Sequence, residues 1–176
     1  RTNFLTYSEE FESWSSGGSY VTANQTISPD GQTTADELTK TGSFVQIQNT
    51  ASVSSGIDYV FSLFAKKNTT SYITIRIATG SNDVRRYINL DTNETGSSGG
   101  NDTGFISTTI EDYSNGWKRI SIRITTGGTL AYCNLYAGQA GNTTYDGEIY
   151  IWGSQLEAGQ YQSSYIPTSG SSSSVT

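Results

Sequence analysis

The sequence predicts an all-β protein, an antiparallel jelly-roll β-sandwich. Three observations carry that expectation. Segments of alternating apolar and polar residues recur along the chain, the period of a half-buried strand. Clusters of Gly, Asn, Asp, Ser and Thr separate them at roughly 8–12-residue spacing, the rhythm of a sandwich. Helical signals are scarce. Only Thr33 to Lys40 tolerates a helical turn, through Asp36, Glu37 and Leu38, and a short strand-and-turn connection is preferred there.

The strands follow in order. Tyr59 to Ala65 is rich in strand formers. In Ser71 to Ala78, Ile73, Ile75 and Ile77 share one face, and Tyr72, Thr74 and Arg76 share the other. Val84 to Leu90 sets Val84, Arg86, Ile88 and Leu90 against Arg85, Tyr87 and Asn89. Phe105 to Ile110 is short. Trp117 to Thr125 turns Ile120, Ile122 and Ile124 inward, with Arg119, Ser121 and Arg123 outward. Leu130 to Ala137 sets Cys133, Leu135 and Ala137 against Tyr132, Asn134 and Tyr136, and Glu148 to Trp152 is the last long strand. One apolar and one polar face per strand implies antiparallel sheets solvated on one side.

Composition narrows the function classes. At 176 residues the chain is one domain by length, able to bury roughly 70% of its unfolded surface. A net charge of −6 argues against nucleic acid, which is bound through Lys and Arg. No apolar run approaches the ~20 residues of a membrane helix. Without histidine, Ser-His-Asp and Cys-His chemistry is excluded, and catalysis is not expected. The lone Cys133 reads as a small core residue. The chain has no methionine, so Arg1 is not a translation start, and a processed product, a module or a fragment is expected.

Four stretches carry a resemblance. They are Thr2 to Phe11 followed by Trp14, then Pro29-Asp30-Gly31 with Thr34 to Leu38, then Gly116-Trp117, and finally the closing run Ile149 to Pro167. In that order they resemble a family of carbohydrate-binding-module-like β-sandwich domains, related in shape to concanavalin-type modules. Such domains recur in bacteriophage head decorations, fibres and tails, and in secreted polysaccharide-degrading enzymes. The resemblance implies one module over residues 1–168 with a flexible or linker tail at 169–176. It implies a non-enzymatic role on a virion surface or outside the cell, with a glycan or other virion proteins as partners and a homotrimer as one assembly. The alternative is an accessory module of a secreted polysaccharide-degrading enzyme.

The candidate ligand residues are Tyr72, Arg76, Arg85, Tyr87, Asn89, Tyr132, Asn134 and Tyr136, with Arg119 and Arg123 in equivalent outward positions. Flat aromatics match the apolar faces of sugar rings, and Arg and Asn match their hydroxyls and carboxylates. A glycan groove, a subunit interface and an ordinary solvated face all fit this set. No cofactor is expected. A structural calcium is weakly suggested, by the spacing of Asp91, Asn93, Thr95 and Asp102 in a solvated loop, and by analogy for Glu9 and Glu157 near the two ends. Asp30 in Pro-Asp-Gly is explained by turn chemistry. Trp117 and Trp152 are expected in the core, whereas Trp14 is open to exposure. The closing run is expected to seal the sandwich rather than to bind.

Overall fold

A computed structural model describes residues 1–176. Its thirteen strands are β1 (Thr2–Asn3), β2 (Val21–Thr26), β3 (Ala35–Lys40), β4 (Ile47–Ser52), β5 (Asp58–Lys67), β6 (Tyr72–Thr79), β7 (Asn82–Asn89), β8 (Thr95–Gly100), β9 (Phe105–Asp112), β10 (Trp117–Thr125), β11 (Leu130–Ala137), β12 (Gly147–Ala158) and β13 (Ser173–Ser174). A four-residue helix, Gly17–Tyr20, and three single 3-10 turns complete the chain.

Two antiparallel sheets face each other. One has six strands in the order β2-β3-β12-β5-β10-β9, and the other five in the order β4-β11-β6-β7-β8. From β3 onward the chain crosses between sheets, pausing for the hairpins β6–β7–β8 and β9–β10. That crossing places β12 between β3 and β5, and β11 between β4 and β6, which is the interleaving of a jelly roll. The expected strand at Thr33 to Lys40 is β3.

The period-two pattern decides which side chains fill the space between the sheets. Ile73, Ile75, Ile77, Cys133 and Leu135 from the five-stranded sheet meet Phe61, Leu63, Ile120, Ile122, Ile124, Ile149 and Ile151 from the other, all fully buried. Full burial of such a side chain stabilises by about 1.5–3 kcal/mol before conformational entropy is counted. The first segment is stitched to the last. Asn3, fully buried, donates to the carbonyls of Ser154 and Ile166 and accepts from the Leu156 amide.

Several expectations are corrected. Trp14 is buried, its ring 5.0 Å from Phe11, and its indole N–H donates to the Tyr7 carbonyl. Trp117 and Trp152 are buried in a core cluster, as expected, and that cluster lies outside the space between the sheets. With Phe64 and Ala35 they form a second cluster on the outer face of the six-stranded sheet. Part of the Asp91 to Gly104 loop is a strand: β8, poor in strand formers, pairs with β7 through its backbone at the sheet edge. The ends of the calcium-like spacing serve different cations, Asp91 bonding Lys67 and Ser71, and Asp102 meeting Arg86 at 3.3 Å. Within the Ser/Gly-rich tail, Ser173 and Ser174 pair with Asn3 and Thr2.

Candidate functional site: two outer sheet faces

All eight candidate residues lie on the outer face of the five-stranded sheet. The registers Tyr72↔Asn89, Thr74↔Tyr87, Arg76↔Arg85 and Asn134↔Arg76 set them in transverse rows, with Tyr136 opposite Thr74 and Tyr132 opposite Ala78. Ala78 lies six positions after Tyr72, so the rows cover ~20 Å of sheet.

The rows differ in character. At one end Tyr72 stacks on Tyr145 at 4.1 Å with ring planes 29° apart, and Tyr87 lies 6.1 Å from Tyr72. Tyr87 OH reaches the Glu94 carboxylate at 3.3 Å. A Cβ at Gly96 would lie 2.8 Å from the Tyr87 ring, so only glycine lets that ring lie flat across β8. Partial burial raises the Tyr72 and Tyr87 pKa values, so both phenols stay neutral and can donate at physiological pH.

In the middle, Arg76 holds Asp83 through two hydrogen bonds, Nε at 2.8 Å and Nη2 at 2.9 Å, and donates to Asn134 at 3.2 Å. This hydrogen-bonded pairing lowers the Asp83 pKa and raises that of Arg76. Arg85 lies 5.8 Å from the rings of both Tyr136 and Phe44. Asn134, Tyr136 and Asn89 are buried, whereas Phe44 and Tyr132 are exposed, at 61% and 39%. The buried residues are therefore the foundation of the face, and Tyr72, Tyr87, Tyr145, Phe44 and Tyr132 are its accessible part. Reading the sequence missed Phe44 and Tyr145, because both stand on loops where period two carries no information.

The loop bearing Tyr145 is held from below. The Lys40 ammonium, fully buried, makes an ion pair with Asp146 and donates to the Asn142 carbonyl at 3.1 Å. Thr74 Oγ1 donates to the Gly138 carbonyl and accepts from the Ala140 amide.

Arg119 and Arg123 belong to the opposite side of the molecule. They lie on β10 in the six-stranded sheet, across from Phe64 and Val60 of β5. Residues 160–165 run over this outer face. Tyr165 contacts Trp152 at 4.7 Å and Phe64 at 6.4 Å, the Gln155 amide oxygen accepts from the Ile166 amide, and Glu157 accepts from Ser163. Glu9 accepts from Tyr165 OH at 2.9 Å. Glu9 thus ties the first segment to the closing run, and Glu157 braces the closing run internally, each as a hydrogen-bond acceptor.

No family model matches the chain, and no curated protein matches it in sequence. Solved structures similar to it include the enzymatically active domain of bacteriophage CBA120 tailspike protein 4, with 14% identity, a TM-score of 0.41, and coverage of 78% of this chain and 17% of that one. Another is the CBM22-1–GH10 pair of Clostridium thermocellum endo-1,4-beta-D-xylanase 10B complexed with xylohexaose, with 15% identity, a TM-score of 0.48, and coverage of 94% and 30%. A third is TmCBM61 in complex with beta-1,4-galactotriose, with 11% identity, a TM-score of 0.47, and coverage of 89% and 99%. The chain spans less than a third of the length of the first two.

Proposed function

We propose that this chain is a non-enzymatic glycan-binding module displayed on a virion or other extracellular surface, and that the glycan lies along the outer face of the five-stranded sheet. The observation that carries this reading is the Tyr72–Tyr87–Tyr145 group, with ring centroids 4.1 and 6.1 Å apart. It is a partly exposed aromatic platform beside half-buried Arg85, whose nearest carboxylate is 3.9 Å away. A sugar ring rests its apolar face on such a platform while its hydroxyls meet the adjacent donors. Arg85, only loosely paired with Asp83, favours a polysaccharide that carries some negative charge. Phe44 and Tyr132 extend the platform, so a chain of sugars rather than a single ring suits it.

Titration calorimetry against oligosaccharides from host surface polysaccharides tests the site. Binding that weakens at least tenfold in Tyr87→Ala and Tyr72→Ala, with the unfolding temperature little changed, is expected. No binding across that panel, with host adsorption unchanged in both variants, would sink the reading.

The virion half of the proposal rests on the resemblance of the four landmark stretches, which secreted enzymes share. Finding the chain in purified particles is its test. Absence from particles, together with a catalytic domain encoded in the same gene, would instead favour an accessory module of a polysaccharide-degrading enzyme.

A further inference from the structure

The outer face of the six-stranded sheet holds a hollow of about 290 Å³. Its floor is Phe64, Trp152 and Arg119, and its walls include Tyr113, Tyr165 and Pro29. Stretches far apart in sequence converge here: the Pro29-Asp30 turn, β10 just after Gly116-Trp117, and the closing run.

Arg119 is the unusual member. It is only 9% exposed, yet no carboxylate lies within 4.0 Å of it. Its Nε is buried without a hydrogen-bond partner, as are those of Arg85, Arg86 and Arg123, but its one hydrogen bond runs from Nη2 to Ser62 Oγ at 3.4 Å. The Phe64 ring, 5.3 Å from the guanidinium carbon, gives partial compensation. Every other arginine side chain in the two sheets has an acidic partner: Arg76 and Arg85 have Asp83, Arg86 has Asp102, and Arg123 has Asp58. A buried guanidinium is costly unless it is paired, and its planar fork matches a carboxylate.

We infer that this hollow is a second ligand site, separate from the five-stranded face, and that it takes a carboxylate-bearing sugar ring, a uronate. The carboxylate pairs with Arg119, and the ring rests against the aromatic walls, with Tyr113 the most accessible of them at 50% exposure. Asp30 and Ser164 at the rim offer acceptors and donors to sugar hydroxyls. The net charge of −6 opposes an acidic ligand at long range, where salt screens it within ~8 Å, and Asp30 opposes it at the rim, so the carboxylate must sit at the Arg119 end of the hollow. Buried Glu157 and cross-strand Glu111 both act on Arg119 through space, but neither reaches it within 4.0 Å, so its fork still lacks a direct partner.

The test is calorimetric titration of galacturonate, glucuronate and mannuronate trimers, each beside its methyl ester, which keeps the ring and removes the charge. At least one acid is expected to bind, with its ester at least tenfold weaker. Arg119→Gln and Tyr113→Ala should each weaken the acid at least tenfold, and Tyr87→Ala, on the opposite face, should not. Arg119→Gln is also expected to leave the unfolding temperature unchanged or raised, because it removes a buried charge that no carboxylate meets directly; a structural arginine would show the reverse. Silence of all three acids, equal binding of acid and ester, or loss in Tyr87→Ala alone would overturn the inference. The last result would leave the five-stranded site intact, so the two readings fail separately.

Discussion

The Trp152 and Tyr165 rings meet at 4.7 Å, 55° apart, where the β12–β5 register shifts between Trp152 and Gln155. Gly153 makes that contact possible. Its φ is +62°, and a Cβ there would lie 3.2 Å from Phe64 and 3.4 Å from Tyr165.

Gly153→Ala should therefore destabilise the fold by about 1–3 kcal/mol, combining the left-handed backbone cost with the crowding of two rings. Urea unfolding reads this directly. An unchanged midpoint would mean that the bulge relaxes freely and that the Trp152–Tyr165 contact is not held by it.

Lys40 and Asp146 form the second vulnerable pair. The ammonium is fully buried and the carboxylate is 28% exposed. Removing one partner of a buried pair costs about 3–5 kcal/mol, because the other is left charged and unpaired. Asp146→Ala should approach that loss, while Lys40→Met should cost less, its charge having gone. Because Asp146 follows Tyr145, Asp146→Ala should also loosen the Tyr72–Tyr145 stack, and under the proposed function it should weaken glycan binding without touching the sugar. Equal stability of the two variants would contradict the argument.

The strands were legible because burial imposes period two. Ile73, Ile75 and Ile77 alternate with Tyr72, Thr74 and Arg76 in sequence as they do in space. The pairing of the two candidate faces was not legible. Arg119 and Arg76 have the same outward pattern, and only strand order puts them on opposite sides of the sandwich. The burial of Arg119 was equally hidden, since it comes from residues 160–165 folding over the sheet. β8 escaped notice because a Gly/Ser edge strand is held by backbone pairing, not by its side chains. Trp152 read as core because an aromatic strand residue has the same pattern on either sheet face.

Cys133 is fully buried, and burial pushes its thiol pKa well above the usual range. The thiolate is the reactive form, so the native protein should resist alkylation at pH 8. In a denaturant series, labelling should follow global unfolding, because β11 is a central strand of its sheet. Labelling at the rate of a free thiol under native conditions would show that β11 opens locally.

Asp36 should make stability depend on pH. Its carboxylate is buried and accepts from the Phe11 amide at 3.1 Å and the Asn24 amide at 2.9 Å. Burial raises its pKa from 3.8 to about 7, although those two hydrogen bonds work against the rise. Between these values the folded chain holds a proton that the unfolded chain releases. Stability should therefore be greatest near pH 4 and fall as pH rises towards 7, at up to ~1.4 kcal/mol per unit, then level off. Glu9, also raised by burial, adds in the same direction. The lowered Asp58, Asp83 and Asp91 act in the opposite sense, their contribution being lost only as pH falls below the ordinary carboxylate range. Asp36→Asn isolates the effect. One backbone amide then loses its acceptor, at about 1–3 kcal/mol, but the slope between pH 5 and 7 should shrink to the part left by Glu9. Urea midpoints across that window measure the slope, and equal slopes in the two proteins would show that Asp36 stays ionised throughout.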